Sequence, residues 1–250
     1  MIVVKSAREI ETMRKAGRIA GLALKEAGSL VAPGVTTRQL DTAIRQLLRR
    51  YGAKASFLGY RGYPAACNTS VNEEVIHGIP GRRALREGDI ISIDVGAYFE
   101  GFHGDTAATF TVGSVSPQAL RLIEVTRRCF YEGAARAVAG NRVSDISEAV
   151  EKCAESGGCS VVRDWTGHGV GRQLHEDPEV PNFRDGKRGS ARLLPGMTIS
   201  IEPMITAGKS ETEILRDGWT VVTVDRSLSA HHEHTLLITS GAPELMTLVD

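Results

Sequence analysis

Leu85-Arg86-Glu87-Gly88-Asp89-Ile90-Ile91-Ser92-Ile93-Asp94 decides the reading of this chain. It returns as Leu193-Leu194-Pro195-Gly196-Met197-Thr198-Ile199-Ser200-Ile201-Glu202. In both copies a glycine-bearing turn leads into a β-branched run, and the run closes on an acid. Such runs favour strands. An acid at the end of one is buried unless something positive waits for it, and an unpaired buried charge is very costly. Neither run holds a lysine or arginine. Downstream, Asp105-Thr106 is echoed more loosely by Glu233-His234-Thr235. Each half therefore predicts helices followed by an acid-bearing hairpin, with Asp94, Asp105, Glu202 and Glu233 meeting at a shared centre. That implies one two-lobed domain over residues 1–250 with no linker, and a metal centre is the simplest partner for its acids. Chance similarity of two apolar strands is the alternative, and the repeat alone does not exclude it.

Outward from this repeat, Ser6 and Glu9 form a capping box, followed by Ile10, Met13, Ile19, Ala20 and Leu24 at helical spacing. The first helix should end before Ala32-Pro33-Gly34. A second starts at Thr36 or Thr37, carries Leu40, Ile44, Leu47 and Leu48 on one face, and ends at Gly52. An irregular stretch from Phe57 to about Pro80 comes next. Strands are expected at 89–97 and 105–112, joined by the turn Glu100-Gly101-Phe102-His103-Gly104. Helices return at about 117–138 and 144–157. Short strands should follow near 159–164, 168–172, 198–205, 219–224 and 233–239, with a basic surface loop at 182–192.

Thirty basic and thirty acidic residues cancel in 250, which suggests neither a nucleic-acid nor an acidic-membrane partner. Apolar residues at 42% are ordinary for a soluble globular protein. Met1-Ile2-Val3-Val4-Lys5 is too short an apolar stretch for a signal peptide, and no run approaches the roughly twenty apolar residues that span a bilayer. Cys67, Cys129, Cys153 and Cys159 form no CxxC pair and read as reduced thiols. A cytoplasmic protein is the expectation. With no exposed heptad or large apolar patch, so is a monomer.

The fifth member of the constellation is His168, in Thr166-Gly167-His168-Gly169-Val170-Gly171, where glycines let backbone approach closely. Four carboxylates offset the charge of two dications, and oxygen donors with one imidazole suit Mn, Fe, Co or Zn. Carboxylates also bridge, and ions held about 3.5–4 Å apart are the usual arrangement for metal-assisted hydrolysis. Glu202 is placed to take a proton. Taken singly, an acid on a strand is more often solvated or ion-paired than a ligand; the set of five is far more specific. In His231-His232-Glu233-His234, strand alternation puts His231 and Glu233 on one side and His232 and His234 on the other. Glu233 is expected to face the metal and His234 not. His77, in Val75-Ile76-His77-Gly78, and His175, in Leu174-His175-Glu176, fit a role donating to a carbonyl oxygen or a developing oxyanion. A loop histidine bonded to backbone is the plain alternative for each.

Val71-Asn72-Glu73-Glu74-Val75-Ile76-His77-Gly78-Ile79-Pro80, Ser92-Ile93-Asp94-Val95-Gly96, Gly104-Asp105-Thr106, Gly167-His168-Gly169-Val170-Gly171, Leu174-His175-Glu176-Asp177-Pro178, Ile201-Glu202-Pro203-Met204 and Glu233-His234-Thr235 together resemble the type I methionine aminopeptidases. The likeness runs in order over nearly the whole chain. It implies the α/β pita-bread fold of the creatinase/aminopeptidase type, two pseudo-symmetric halves around an antiparallel sheet with helices outside. It further implies two divalent ions (Co, Mn, Fe, Zn or Ni) and removal of the initiator methionine from nascent polypeptides whose second residue is small. By position, Asp94, Asp105, His168, Glu202 and Glu233 look like the metal ligands, with Asp105 and Glu233 bridging and Asp94 chelating one ion. His77 and His175 look like contacts to the substrate amide, and Phe57, Tyr60, Tyr63, Asn68, Leu174 and Trp219 match the methionine side-chain pocket. An apolar, partly aromatic pocket suits a flexible thioether. Asn68 and Phe57 stand where cysteine is frequent and Leu174 where phenylalanine is, which reshapes the rim of the pocket but not the metal site. The family also binds a monovalent cation near the positions of Asn72, Glu74 and Ser229. A ribosome contact through Arg184, Lys187, Arg188 and Arg192 follows from the substrate's origin, though a solvated loop is the better reading of those charges.

An X-Pro-specific prolidase shares the metal motifs but usually carries an extra N-terminal domain, and the first catalytic-domain helix is expected here from about residue 6. The type II methionine enzymes usually carry a helical insertion for which the second half has no room. A pita-bread protein that binds RNA or protein partners without catalysis is the alternative of another class. Such relatives lack several ligands, whereas all five positions are filled here.

Overall fold

A computed structural model describes residues 1–184, 186 and 190–249. Ser6 caps α1 (Ala7–Ser29): its hydroxyl accepts from the Glu9 N–H, and the Glu9 carboxylate accepts from the Ser6 N–H. Thr36 and Gln39 repeat this reciprocal arrangement at α2 (Thr37–Arg50). Both helices stop where expected, at Leu30 and at Tyr51.

The stretch that follows is more ordered than its composition suggests. It holds β1 (Lys54–Ala55), a tight turn at Tyr60–Gly62, β2 (Cys67–Val71) and β3 (Glu74–Ile76). β2 escapes a hydrophobic-pattern reading because Asn68, Thr69 and Ser70 are polar and yet buried, at 4%, 2% and 2% exposure. β4 (Ile90–Phe99) and β5 (Phe102–Thr111) then form a hairpin in ten-residue register. Its turn is two residues rather than the expected five. Glu100 and Gly101 both take positive φ, 47° and 91°, the tight reversal whose twist matches the flanking strands, so His103 and Gly104 belong to β5.

In the second half α3 (Pro117–Ala134) stops short of the expected 138, α4 (Val143–Ser156) agrees closely, and β6 (Ser160–Val161), β7 (Gly167–Gly169) and β8 (Glu176–Val180) follow. β8 has no counterpart among the expected strands. The expected strand 198–205 is broken into β9 (Thr198–Ile201) and β10 (Met204–Thr206). Pro203 cannot donate to a ladder, and the chain passes there from one sheet to another with Glu202 in the break. β11 (Thr212–Ile214), β12 (Val221–Thr223), β13 (Ser229–His231), β14 (Glu233–Leu237) and β15 (Glu244–Leu245) complete the order.

The main sheet runs β1-β4-β5-β14-β9-β7-β8, with β2 also on β4 and β15 on β14. The two copies of the repeat lie in β4 and β9, and their antiparallel partners β5 and β14 pair with each other between them. Ile91, Ile93 and Val95 of β4 join Ile19, Leu40, Ile44 and Leu48 of α1 and α2 in one core. Ile199 and Ile201 of β9 join Phe130, Ile146 and Val150 of α3 and α4 in the other. Side chains alternate along a strand, so the helices claim one face of the sheet and Asp94 and Glu202 are left on the opposite face. α1 approaches β5 at backbone contact: a Cβ on Gly104 would stand 2.5 Å from Gly17 Cα.

Candidate metal centre

The strand register places the acids in a compact array. Asp94 on β4 stands opposite Ala107 on β5, and Ala107 stands opposite Glu233 on β14. Asp105, two residues before Ala107, points to the same face. Its N–H donates to Thr235 Oγ1 (3.0 Å), whose hydroxyl donates back to the Asp105 carbonyl (2.9 Å). Thr106 Oγ1 donates to the Glu233 carbonyl (2.8 Å), tying the same two strands together. His168 enters from β7, on the far side of β9. Its Nδ1 donates to the Gly169 carbonyl (2.9 Å), which leaves Nε2 with its lone pair turned to the acids, 3.4 Å from Glu202 Oε1. A histidine whose other nitrogen is held by a carbonyl is oriented for ligation. Ser200 Oγ donates to Glu233 Oε1, and Asn182 Nδ2 fixes the Glu202 carbonyl (3.0 Å). All five residues that the sequence singles out as ligands therefore converge.

Their electrostatics demand a cation. Burial pushes Asp94, Glu202 and Glu233 well above the ordinary carboxylate range, and their repulsion of one another and of Asp105 adds to it. Asp105 is pushed up to about 7, again by burial first. Among the described residues none of the four is in an ion pair with lysine or arginine; the basic side chains in reach are the imidazoles of His168 and His231, which burial holds at about 3 and therefore neutral near pH 7. Asp94 Oδ1 and Asp105 Oδ1 are buried without a hydrogen-bond partner. Two groups of side chains bring their ligand atoms within 4.8 Å of one another: Asp105, His168 and Glu233, and Glu202, His231 and Glu233. Orphaned carboxylate oxygens in that donor set fit divalent ions of the Mn–Zn series.

The acids line one part of a cavity of about 880 Å³ whose wall includes Phe57, Tyr60, Tyr63, Asn68, His77, Leu174, His175 and Trp219. Phe57, Tyr63 and Leu174 form the buried heart of an apolar cluster, with Tyr60 and Trp219 packed against it. Tyr63 and Trp219 meet edge to face at 5.1 Å, and the Tyr63 hydroxyl is shared between the carbonyls of Cys67 (3.1 Å) and Gly78 (3.0 Å). Asn68 sits opposite Asp94 in the β2–β4 register. The His175 ring lies 4.2 Å from that of His168, tilted by 51°, and has Nδ1 2.8 Å from Tyr60 Oη. His77 stands edge-on to Trp165 at 5.0 Å. Burial holds His77 and His175 at about 4, so both are neutral near pH 7.

Sequence reasoning missed two parts of this site. Trp165, three residues before His168, lines the cavity beside His77, and nothing in its neighbourhood signals that role. His231 was signalled: alternation put it on the side of Glu233. It lies 3.7 Å from Glu202 Oε2 and 3.9 Å from Glu233 Oε2. His232 and His234 turn the other way, each 5.1 Å from the Phe130 ring, and His234 Nδ1 pairs with Thr247 Oγ1 (2.7 Å). Elsewhere, the Ser229 N–H donates to the Asn72 carbonyl (2.8 Å), and Glu74 Oε2 accepts from the Val71 N–H (2.7 Å), which gathers Asn72, Glu74 and Ser229 in one region. Of the basic loop, Arg184 pairs with Glu148 (3.6 Å); Lys187 and Arg188 lie outside the described residues. No helix among the described residues is long and apolar enough to cross a membrane.

The sequence model of metallopeptidase family M24 matches residues 11–240. The chain is 48% identical over 251 residues to the methionine aminopeptidase of Clostridium acetobutylicum, covering all of both chains. Its fold superposes on the crystal structure of the methionine aminopeptidase of Thermotoga maritima with a TM-score of 0.97 at 42% identity, again over all of both chains. The prolidase of Pyrococcus furiosus shares the fold at a TM-score of 0.81 and 21% identity, over 99% of this chain and 66% of that one. The chain belongs to metallopeptidase family M24 and, within it, to the methionine aminopeptidases.

Proposed function

We propose that this protein removes the N-terminal methionine from nascent polypeptides whose second residue is small, with residues 1–250 acting as one monomeric catalytic domain in the cytoplasm. The observation that carries the reading is the convergence of five ligand-type side chains in one cavity with an apolar, aromatic cluster. Two divalent ions (Co, Mn, Fe, Zn or Ni) fit this donor set, and Asp94, Asp105, His168, Glu202 and Glu233 would hold them. When bound they supply Lewis acidity, which brings hydroxide within reach of neutral pH.

The remaining work falls to side chains. Phe57, Tyr60, Tyr63, Leu174 and Trp219 enclose the methionine side chain, and Asn68 contributes the polar part of the wall. Neutral His77 and His175 donate to the carbonyl oxygen of the first peptide bond and to the oxyanion it becomes. If Tyr60 donates to His175 Nδ1, the Nε2–H of that ring is left facing the substrate. Glu202 takes the proton of the attacking water and returns it to the departing amine. A monovalent cation near Asn72, Glu74 and Ser229 steadies the sheet edge, and the basic residues Arg184, Lys187, Arg188 and Arg192 offer a ribosome contact. The test is mass-spectrometric assay of metal-reconstituted protein on Met-Ala-Ser, Leu-Ala-Ser and Ala-Pro. Free methionine from the first and little product from the others is expected; preferential cleavage of Ala-Pro would move the chain to the prolidase reading.

A further inference from the structure

Glu202 stands between two imidazoles. His168 Nε2 is 3.4 Å from its Oε1 and His231 Nε2 is 3.7 Å from its Oε2. The same His231 nitrogen is 3.9 Å from Glu233 Oε2. It is buried and has no hydrogen-bond partner, in a residue only 2% exposed. These separations are too long for hydrogen bonds. They match ligand–ligand edges instead: atoms each about 2.1 Å from a common ion lie roughly 3–4.2 Å apart.

The backbone makes this placement deliberate. His231 ends β13, its N–H donates to Thr109 Oγ1 (2.9 Å), and its carbonyl accepts from the same hydroxyl (2.9 Å). That clamp on β5 holds the ring toward the acids, while His232 and His234 lie against Phe130. The two ligand-type groups, Asp105–His168–Glu233 and Glu202–His231–Glu233, share Glu233 and carry one imidazole each.

We propose that His231 is a sixth metal ligand, acting with Glu202 and Glu233 and adding a second imidazole to the donor set. This rests on the two-ion reading above and goes beyond the five-residue set with its single histidine. The chemical consequence is selectivity. A second imidazole favours the borderline ions Co²⁺, Ni²⁺ and Zn²⁺ over Mn²⁺, which prefers oxygen donors.

The test is titration of Co²⁺ into metal-stripped full-length wild type and His231→Gln, followed by calorimetry and visible absorption, with circular dichroism to verify folding. Wild type is expected to take up two equivalents. In His231→Gln one of the two steps should weaken by about 10- to 100-fold, with its absorption band altered, while Mn²⁺ binding changes far less. X-ray absorption of the two-cobalt wild type needs no variant: one imidazole per cobalt is expected, and one for every two cobalts would overturn the proposal. Two equivalents with both steps unchanged in His231→Gln would overturn the role of His231 alone. A wild type that binds no Co²⁺ would overturn the two-ion reading with it.

Discussion

Glu202 combines two demands that conflict in the absence of a cation: it must be a carboxylate, and it is mostly withdrawn from solvent, its side chain 13% exposed, beside three others. Replacing it with glutamine removes a buried acid without changing shape, so the metal-free Glu202→Gln protein should be at least as stable as wild type. Its kcat should fall by at least about 100-fold, the usual contribution of a positioned general base. A near-normal kcat would remove Glu202 from the chemistry. The raised carboxylates also set a pH dependence. An acid whose pKa is raised still holds a proton at a pH where an ordinary one has lost it, and ligation requires that proton to leave. With Asp105 at about 7 and its neighbours also raised, Co²⁺ affinity should fall as pH drops from 8 to 6, by up to about tenfold per unit for each proton displaced. Calorimetry in buffers of different ionisation enthalpy counts those protons; zero release would contradict the account. At Tyr60, loss of the hydroxyl in Tyr60→Phe should lower kcat/KM about 3- to 10-fold, the worth of one net hydrogen bond. Unchanged kinetics would show that the contact to His175 does not orient it.

At the scale of elements, what the sequence made legible was whatever local patterning dictates. The Ser6–Glu9 capping box, the α2 stripe and the strands that carry Asp94 and lead to Glu202 follow from nearest-neighbour chemistry, and they appear as expected. What stayed hidden depends on the far side of the molecule. β2 is polar through its middle three residues, with Asn68 on the cavity wall, so it lacks the apolar alternation that marks a strand. β8 is likewise a short, mostly polar strand, Glu176–Val180, recruited by pairing with β7. The split at Pro203 was signalled by the proline, but its consequence, a change of sheet at Glu202, was not. The four strand acids could be read from the repeat, whereas Trp165 reaches the cavity through packing alone. One element contact is tight enough to test. A Cβ at Gly104 would meet the Gly17 backbone at 2.5 Å, and backbone cannot rotate aside. Gly104→Ala should therefore destabilise by roughly 1–3 kcal/mol in urea unfolding, and wild-type stability would show that α1 sits less closely on β5.

For the whole molecule, two half-cores of matching construction meet along β5 and β14, and the acids of both halves concentrate at that seam. The seam is where the fold is least satisfied without a cation, so metal should stabilise the entire chain. An ion at 100 times its Kd contributes about 2.7 kcal/mol, which raises Tm by roughly 5–10 °C for a chain of this size. Thermal scans with and without chelator read this directly; equal Tm values would mean that the seam is not where metal binds. The central claim is narrower than metal binding: the seam and its aromatic pocket serve one bond, the peptide bond after an N-terminal methionine with a small neighbour. Methionine release from Met-Ala-Ser and Met-Lys-Ser by metal-reconstituted protein tests it most directly. Rapid release from Met-Ala-Ser is expected, with at least about 100-fold lower kcat/KM for Met-Lys-Ser, about 2.7 kcal/mol of discrimination. Equal turnover of the two peptides, or none with any of the five divalent ions, would contradict it.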